Sequence, residues 1–264
     1  MKNKLIPLLL LAVVFSGGSA FAGKETTING ITGFKDSPLL PGGKWHVHDP
    51  ERPQPPVVTP GGVPSDALVL FDGTDLSQWH DKKCNPAPWI VADGAMAAAK
   101  SDIVTVREFG DLQLHAEFCE PVPATGTGQG RGNSGIFFMG RFEIQILDCY
   151  QTKTYPDGQT SALYGQMPPL VNACRPPGEW QTYDIVFTAP RFNPDGTLKQ
   201  PAYATIFHNG VLTQNHQAFL GPTQHAKVAS YTRQPETGPV GLQFHNNPVR
   251  FRNIWVRPLT TTDD

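Results

Sequence analysis

Short runs of alternating apolar and polar residues follow one another from Ala67 to the C-terminus. "ALVLF", "SDIVTVREF", "DLQLHAEF", "SGIFFMG" and "RFEIQIL" come first, then "WQTYDIVFTA", "AYATIFHNGVLTQN", "VGLQFH" and "FRNIWVRP". Several alternate with period two, which is the signature of a strand with one face in a core. Turn signals such as "FDGTD", "VADGA" and "RFNPDGT" separate them, and Asn209-Gly210 predicts a tight hairpin turn. No window of helical period competes. The pattern predicts an all-β domain, a two-sheet antiparallel jelly-roll β-sandwich of a dozen or more strands. In "RFEIQILD" the alternation sets Phe142, Ile144 and Ile146 on one face and Glu143 and Gln145 on the other. A face bearing a carboxylate and an amide, with Asp148 just beyond, is the first candidate for chemistry.

Upstream of Ala67 the pattern is different. "MKNK" followed by "LIPLLLLAVVF" and "SAFAG" reads as a signal peptide over residues 1–22. A periplasmic or secreted location is therefore expected, and no later stretch has the length of a membrane span. Residues 23–65 include "HDPERPQPPVVTPGGVPSD", whose proline and glycine predict an extended linker or arm. Trp45, His46 and His48 could mark a docking point there. Residues 66–264 form the expected jelly-roll domain. Between Gln151 and Glu179 the chain is loop-like, and its aromatic and polar content suits an ordered wall of a site.

Composition narrows the reading. Glycine and proline number 26 each, against long helices. The formal net charge of -2 offers no general attraction for nucleic acid or an anionic membrane surface. The four cysteines have no zinc-site spacing. In an oxidising compartment disulfides are the natural expectation, with Cys84–Cys119 and Cys149–Cys174 favoured among the pairings because each joins neighbours in sequence.

Several long, ordered motifs also resemble one family. "LFDGTDLSQW", "NSGIFF" followed by "RFEIQILD", "YGQMPPLVNACRPPGEWQTYDIVFTAPRF", "HNGV" and "LQFHNNPVRFRNIWVRPL" are similar to the 3-keto-disaccharide hydrolase domain family over about Ala67 to Leu259. The resemblance implies a concanavalin-like jelly roll of the lectin and glucanase type. It also implies an exported enzyme that cleaves glycosides whose sugar is oxidised at carbon 3, acting on a carbohydrate partner. One position departs from the pattern: where the family often has an acidic residue, this chain has Phe244 in "LQFHN".

Such chemistry asks for a general base and for something that stabilises an enolate. Glu143 or His245 is the candidate base. Asp148 is the candidate second carboxylate. The spacing ExQxxD is like the ExDxxE strand of laminarinase-type glycoside hydrolases, but strict alternation puts Glu143 and Asp148 on opposite faces unless a bulge intervenes. Arg131, Arg141 and Arg252 are candidates to bind hydroxyls or the enolate, and Gln145, Asn133 and Ser134 to bind hydroxyls. Tyr164, Tyr150 and Trp180 are candidate ring platforms. The residues fix no cofactor, and a divalent metal ion held by Glu143 with His115 or His245 would serve to stabilise the enolate. "GQGRGNSGIFFMG" lacks the lysine and helix of a phosphate loop. A non-catalytic carbohydrate-binding module is the alternative from another class, because one fold hosts many functions. The oligomeric state is not readable.

Overall fold

The computed structural model describes residues 23–259, so the expected signal peptide lies outside the described residues. The chain divides into two compact units at Val57/Val58. In the first, β1 (Glu25–Ile28) and β2 (Ile31–Phe34) form an antiparallel hairpin, and Lys35 pairs with the buried Asp49 at 3.1 Å. The expected arm thus holds ordered structure at its start, whereas residues 53–60 have no regular element. Proline explains that stretch, since it supplies no backbone donor for a ladder.

The second unit carries the domain. Its strands in chain order are β3 (Leu68–Phe71), β4 (Trp79–Asp81), β5 (Ile90–Ala92), β6 (Ala95–Ala97), β7 (Ile103–Phe109) and β8 (Leu112–Cys119). Next come β9 (Ser134–Phe138), β10 (Phe142–Ile146), β11 (Gln181–Thr188), β12 (Arg191–Phe192), β13 (Leu198–Gln200) and β14 (Tyr203–His208). The last are β15 (Val211–Ala218), β16 (Thr223–Gln224), β17 (Lys227–Val228), β18 (Gly238–Leu242) and β19 (Arg250–Pro258). A smaller sheet of five strands runs β10-β9-β18-β7-β4. A larger sheet of eight runs β15-β14-β11-β8-β19-β6-β5, with β3 also paired to β19. The pairings are antiparallel, and the expected two-sheet sandwich is what the chain forms.

Alternation explains the stacking. On β8, Leu112, Leu114, Ala116 and Phe118 are buried while Gln113, His115 and Glu117 are only half so. Phe187 of β11 meets Phe138 of β9 with ring centroids 4.6 Å apart, joining the inner faces of the two sheets. Phe142, Ile144 and Ile146 lie in this same core. The outward row of β10 is therefore Glu143 and Gln145, on the surface of the smaller sheet away from the sandwich interior. The Asn209-Gly210 turn joins β14 to β15 with both residues at positive φ, 52° and 77°, as that dipeptide predicts.

The strand β10 is the terminal strand of its sheet, but its edge is covered. The loop after it returns antiparallel: Gln145 N–H donates to Ala162 O at 3.1 Å, Ser161 N–H to Gln145 O at 3.0 Å and Tyr164 N–H to Glu143 O at 3.2 Å. The Tyr183 hydroxyl, fully buried on β11, donates to Gln145 O at 2.6 Å and accepts from Ser161 N–H at 2.7 Å. The long loop is ordered because it completes the backbone bonding that an edge strand leaves open.

None of the four cysteines is disulfide-bonded. The expected Cys84–Cys119 bridge is not formed: Cys84 sits on an exposed turn after β4 in one sheet, and Cys119 is buried at the end of β8 in the other. Cys119 Sγ instead faces the Arg250 guanidinium at 3.2 Å. Cys149 and Cys174 are free as well, and Cys149 Sγ accepts from Thr160 N–H at 3.4 Å.

Candidate active site

A cavity of about 290 Å³ opens on the outward face of β10, β9 and the segment after β18. Glu143, Gln145, Asn133 and Gln243 form its floor; Tyr164, Thr223, His225 and His245 form its walls. Its position follows from register. Glu143 is opposite Phe137 and Gln145 opposite Gly135 on β9, so the missing side chain at Gly135 leaves room for the glutamate. A Cβ built at Gly135 would lie 2.6 Å from Glu143 Oε1. The roof is the hairpin β16–β17, anchored by Thr223: its Oγ1 accepts from Glu143 N–H at 3.0 Å and its N–H donates to Arg141 O at 2.8 Å.

Glu143 is 5% exposed. Burial, with a smaller contribution from the nearby negative charge of Asp102, pushes its pKa from an ordinary 4.5 up to about 8. A carboxyl held there is protonated at neutral pH and is a strong base once it ionises. The amides around it are held in one sense. Asn133 Nδ2 donates to Gln129 O at 2.7 Å and Gln145 Nε2 to Gln129 Oε1 at 2.9 Å. Among the described residues, Asn133 Oδ1, Gln145 Oε1 and Gln243 Oε1 are buried without a donor. Three amide oxygens that lack donors, all lining one cavity, fit a ligand rich in hydroxyl groups. On the wall, the Tyr164 hydroxyl contacts Tyr155 Oη at 2.8 Å and His225 Nδ1 at 3.1 Å. Burial first, then the Tyr155 hydrogen bond, raises the Tyr164 pKa above its ordinary value, so this phenol stays a proton donor.

Known proteins carry the same architecture. Residues 66–257 match the model of a family described as the 3-keto-alpha-glucoside-1,2-lyase-like domain. The chain belongs to this family. A crystal structure of a candidate glycosyl hydrolase from Parabacteroides distasonis is similar, with 44% identity, a TM-score of 0.76 and coverage of 84% of this chain and 100% of that one. A second candidate glycosyl hydrolase from the same organism shares the fold at 23% identity and a TM-score of 0.53, covering 73% of this chain and 99% of that one. A protein of Bacteroides thetaiotaomicron described as a 3-keto-disaccharide hydrolase is 22% identical over 245 residues, 75% of this chain and 81% of its own length.

Within the family domain, the structure gathers Glu143, Gln145, Asn133, Tyr164 and His245 at one cavity. Ser134 lies behind it, its Oγ donating to Gln243 O at 2.7 Å and so placing Gln243. The other expected residues are elsewhere. Asp148 is turned away after β10 ends and is 2% exposed, bound by Arg131 Nε at 2.7 Å. A carboxylate and a guanidinium spent on each other there are not in the cavity, which removes Asp148 as a second catalytic acid and Arg131 as a sugar ligand. Arg141 is exposed in the β9–β10 turn. Arg252 lies on the outward face of the larger sheet, paired with Glu117 at 2.7 Å and over the Trp180 ring at 4.1 Å. His115 is on that same far face, hydrogen-bonded to Asp184 at 2.7 Å and stacked on Trp255. A metal shared by Glu143 and His115 is therefore excluded by placement on opposite faces of the sandwich. Among the described residues no three His, Cys, Asp or Glu side chains gather as a metal site. Tyr150 donates its backbone N–H to Asp148 and does not line the cavity. Phe244 packs on the core, and its N–H is held by Asp102 at 2.8 Å.

Sequence reasoning missed Gln243, Thr223 and His225. Gln243 stands two residues before His245 in the same motif and shares its strand end, a signal that was present. Thr223 and His225 are brought in by a short hairpin whose docking has no counterpart in local pattern.

Proposed function

We propose that this protein, after export, cleaves the glycosidic bond of sugars oxidised to a ketone at carbon 3, with Glu143 as the base. One observation carries the reading: a buried carboxyl with its pKa raised to about 8 shares a sugar-sized cavity with three amide oxygens that lack donors. Membership of the family and the description of the Bacteroides thetaiotaomicron relative support it. The N-terminal pattern supports export to the periplasm or beyond.

The chemistry balances with the residues present. The C3 ketone acidifies the C2 hydrogen. Ionised Glu143 takes that proton, and the C2–H electron pair moves into the carbonyl to form an enolate. The enolate collapses, the C1–O bond breaks, and the leaving oxygen takes a proton from a wall donor such as Tyr164. Water then adds at C1 of the enone, its oxygen bonding C1 and one of its protons restoring the wall donor, while Glu143 returns its proton to C2; this completes net hydrolysis. An enolate needs a donor beside it; His225, His245 and the Tyr164 hydroxyl are the groups on hand.

The test is turnover of a 3-keto-glucoside and its unoxidised parent by wild type and Glu143→Gln, each with and without a chelator. Cleavage of the keto sugar alone is expected, with a loss of roughly 10²–10⁴ in the variant. Because the base must be ionised, kcat/KM should rise with pH to a plateau above about 8. Sugar binding without turnover in either protein would leave a carbohydrate-binding module and defeat the enzyme.

A further inference from the structure

One wall of the cavity carries a proton donor whose place is set by backbone pairing. Leu163, in the loop after β10, stands opposite Ile144 in an antiparallel bridge, and Tyr164 N–H donates to Glu143 O at 3.2 Å. Glu143 and Tyr164 are therefore the next facing pair along this edge. Facing residues of an antiparallel pair project to the same side with Cβ atoms roughly 5 Å apart, and both of these line the cavity. That separation suits two groups acting on neighbouring positions of one ring, the hydrogen on C2 and the oxygen on C1. The Tyr164 hydroxyl has two partners, Tyr155 Oη at 2.8 Å and His225 Nδ1 at 3.1 Å. Tyr155 comes from the same loop and His225 from the turn between β16 and β17. Either phenol can be the donor in the first bond, and Nδ1 donates in one imidazole tautomer. When both partners donate, the Tyr164 oxygen accepts twice and its own proton is free for a ligand.

We infer that Tyr164 is the catalytic proton donor to the leaving oxygen, and that Tyr155 and His225 are positioning residues that hold the phenolate it becomes. This rests on the proposed reaction. As the C1–O bond breaks, its electron pair stays with the leaving oxygen, which takes the Tyr164 proton. The phenolate left behind accepts from Tyr155 O–H and His225 Nδ1–H, and such charge-assisted bonds are roughly twice as strong as neutral ones. Water then attacks C1 of the enone and gives one proton to that phenolate, while Glu143 returns its proton to C2. Tyr164 is thus the acid of the first half and the base of the second, and every proton is accounted for. Burial, then the bond to Tyr155, raises the pKa of the resting phenol. A swing of the Tyr155 proton toward Tyr164 reverses the second effect at the moment of transfer, because a donor to the charged form favours it.

The experiment compares two substrates that share the oxidised ring and differ in leaving group. In a 3-keto disaccharide the departing sugar alkoxide must be protonated; in a nitrophenyl 3-keto-glucoside the nitrophenolate leaves without a proton. Each is given to wild type, Tyr164→Phe, Tyr155→Phe and His225→Gln. Tyr164→Phe removes one hydroxyl and keeps the ring, so folding is not at risk. It should lower kcat/KM for the disaccharide by roughly 10²–10⁴, while nitrophenolate release stays close to wild type. Its first product from the nitrophenyl substrate should be the enone, lighter than the hydrated sugar by one water in mass spectrometry, because the base for water is gone. Tyr155→Phe and His225→Gln should each cost the disaccharide roughly tenfold and spare the nitrophenyl substrate in the same way. Equal slowing of both substrates by Tyr164→Phe, or no slowing of either, would overturn the assignment and leave the reaction standing. If wild type releases neither leaving group, the reaction itself falls and the assignment falls with it.

Discussion

Glu143 and Gly135 act as one device. A glutamate on an outward strand face normally reaches water and keeps an ordinary pKa. Here the side chain lies across a glycine on the neighbouring strand, and the hairpin carrying Thr223 and His225 closes over it. Gly135→Ala puts a methyl group within 2.6 Å of the carboxyl oxygen and must displace it. The expected outcome is a fall in kcat/KM of roughly a hundredfold with the melting temperature nearly kept, measured by steady-state kinetics beside thermal denaturation. The pair Glu143 and Gln145 is legible in the chain from alternation alone. The glycine's part is not, because it depends on which residue of another strand stands opposite.

An element can be right in kind and still mislead about its neighbours. The strand β10 is where alternation puts it, but the residues flanking it in sequence do not share its face. Asp148 follows the strand by two residues and is consumed in an ion pair with Arg131. Arg252 belongs to a strand of the other sheet, on the opposite surface of the sandwich. What holds β10 and its loop in place is Tyr183, which crosses the core from β11. Tyr183→Phe removes one of two bonds at both the Gln145 carbonyl and the Ser161 N–H, which still pair with each other at 3.0 Å. A loss of ~0.5–1.5 kcal/mol in stability is expected from denaturant unfolding. Activity should fall further than stability explains, because Gln145 and the wall at Tyr164 hang on the same bonds.

For the whole molecule, pH sets a window. Glu143 and the buried Glu120 both have pKa values raised to about 8; burial dominates in each. Folded protein therefore holds more protons than unfolded protein between about 4.5 and about 8, and stability falls as pH rises through that range. Buried His208 is the opposite case, with burial lowering its pKa from 6.5 to about 3, so stability falls as pH drops through that interval. Thermal melts across pH 4–9 should pass through a maximum on the acid side of neutrality. Glu143→Gln should gain on wild type as pH rises, on the order of 1 kcal/mol per pH unit at its steepest. No gain at alkaline pH would mean that the carboxyl is not buried in solution. The chain by itself determined the all-β class, the outward pair on β10, the Asn209-Gly210 turn and an ordered loop after β10, because alternation and turn chemistry are local and act through neighbours in sequence. Only the tertiary structure decided that Asp148, Arg131, Arg252 and His115 stand apart from the cavity and that Gln243, Thr223 and His225 stand in it. Those placements depend on sheet order and on hairpin docking, which join residues about 80 to 110 positions apart and leave no period in the sequence.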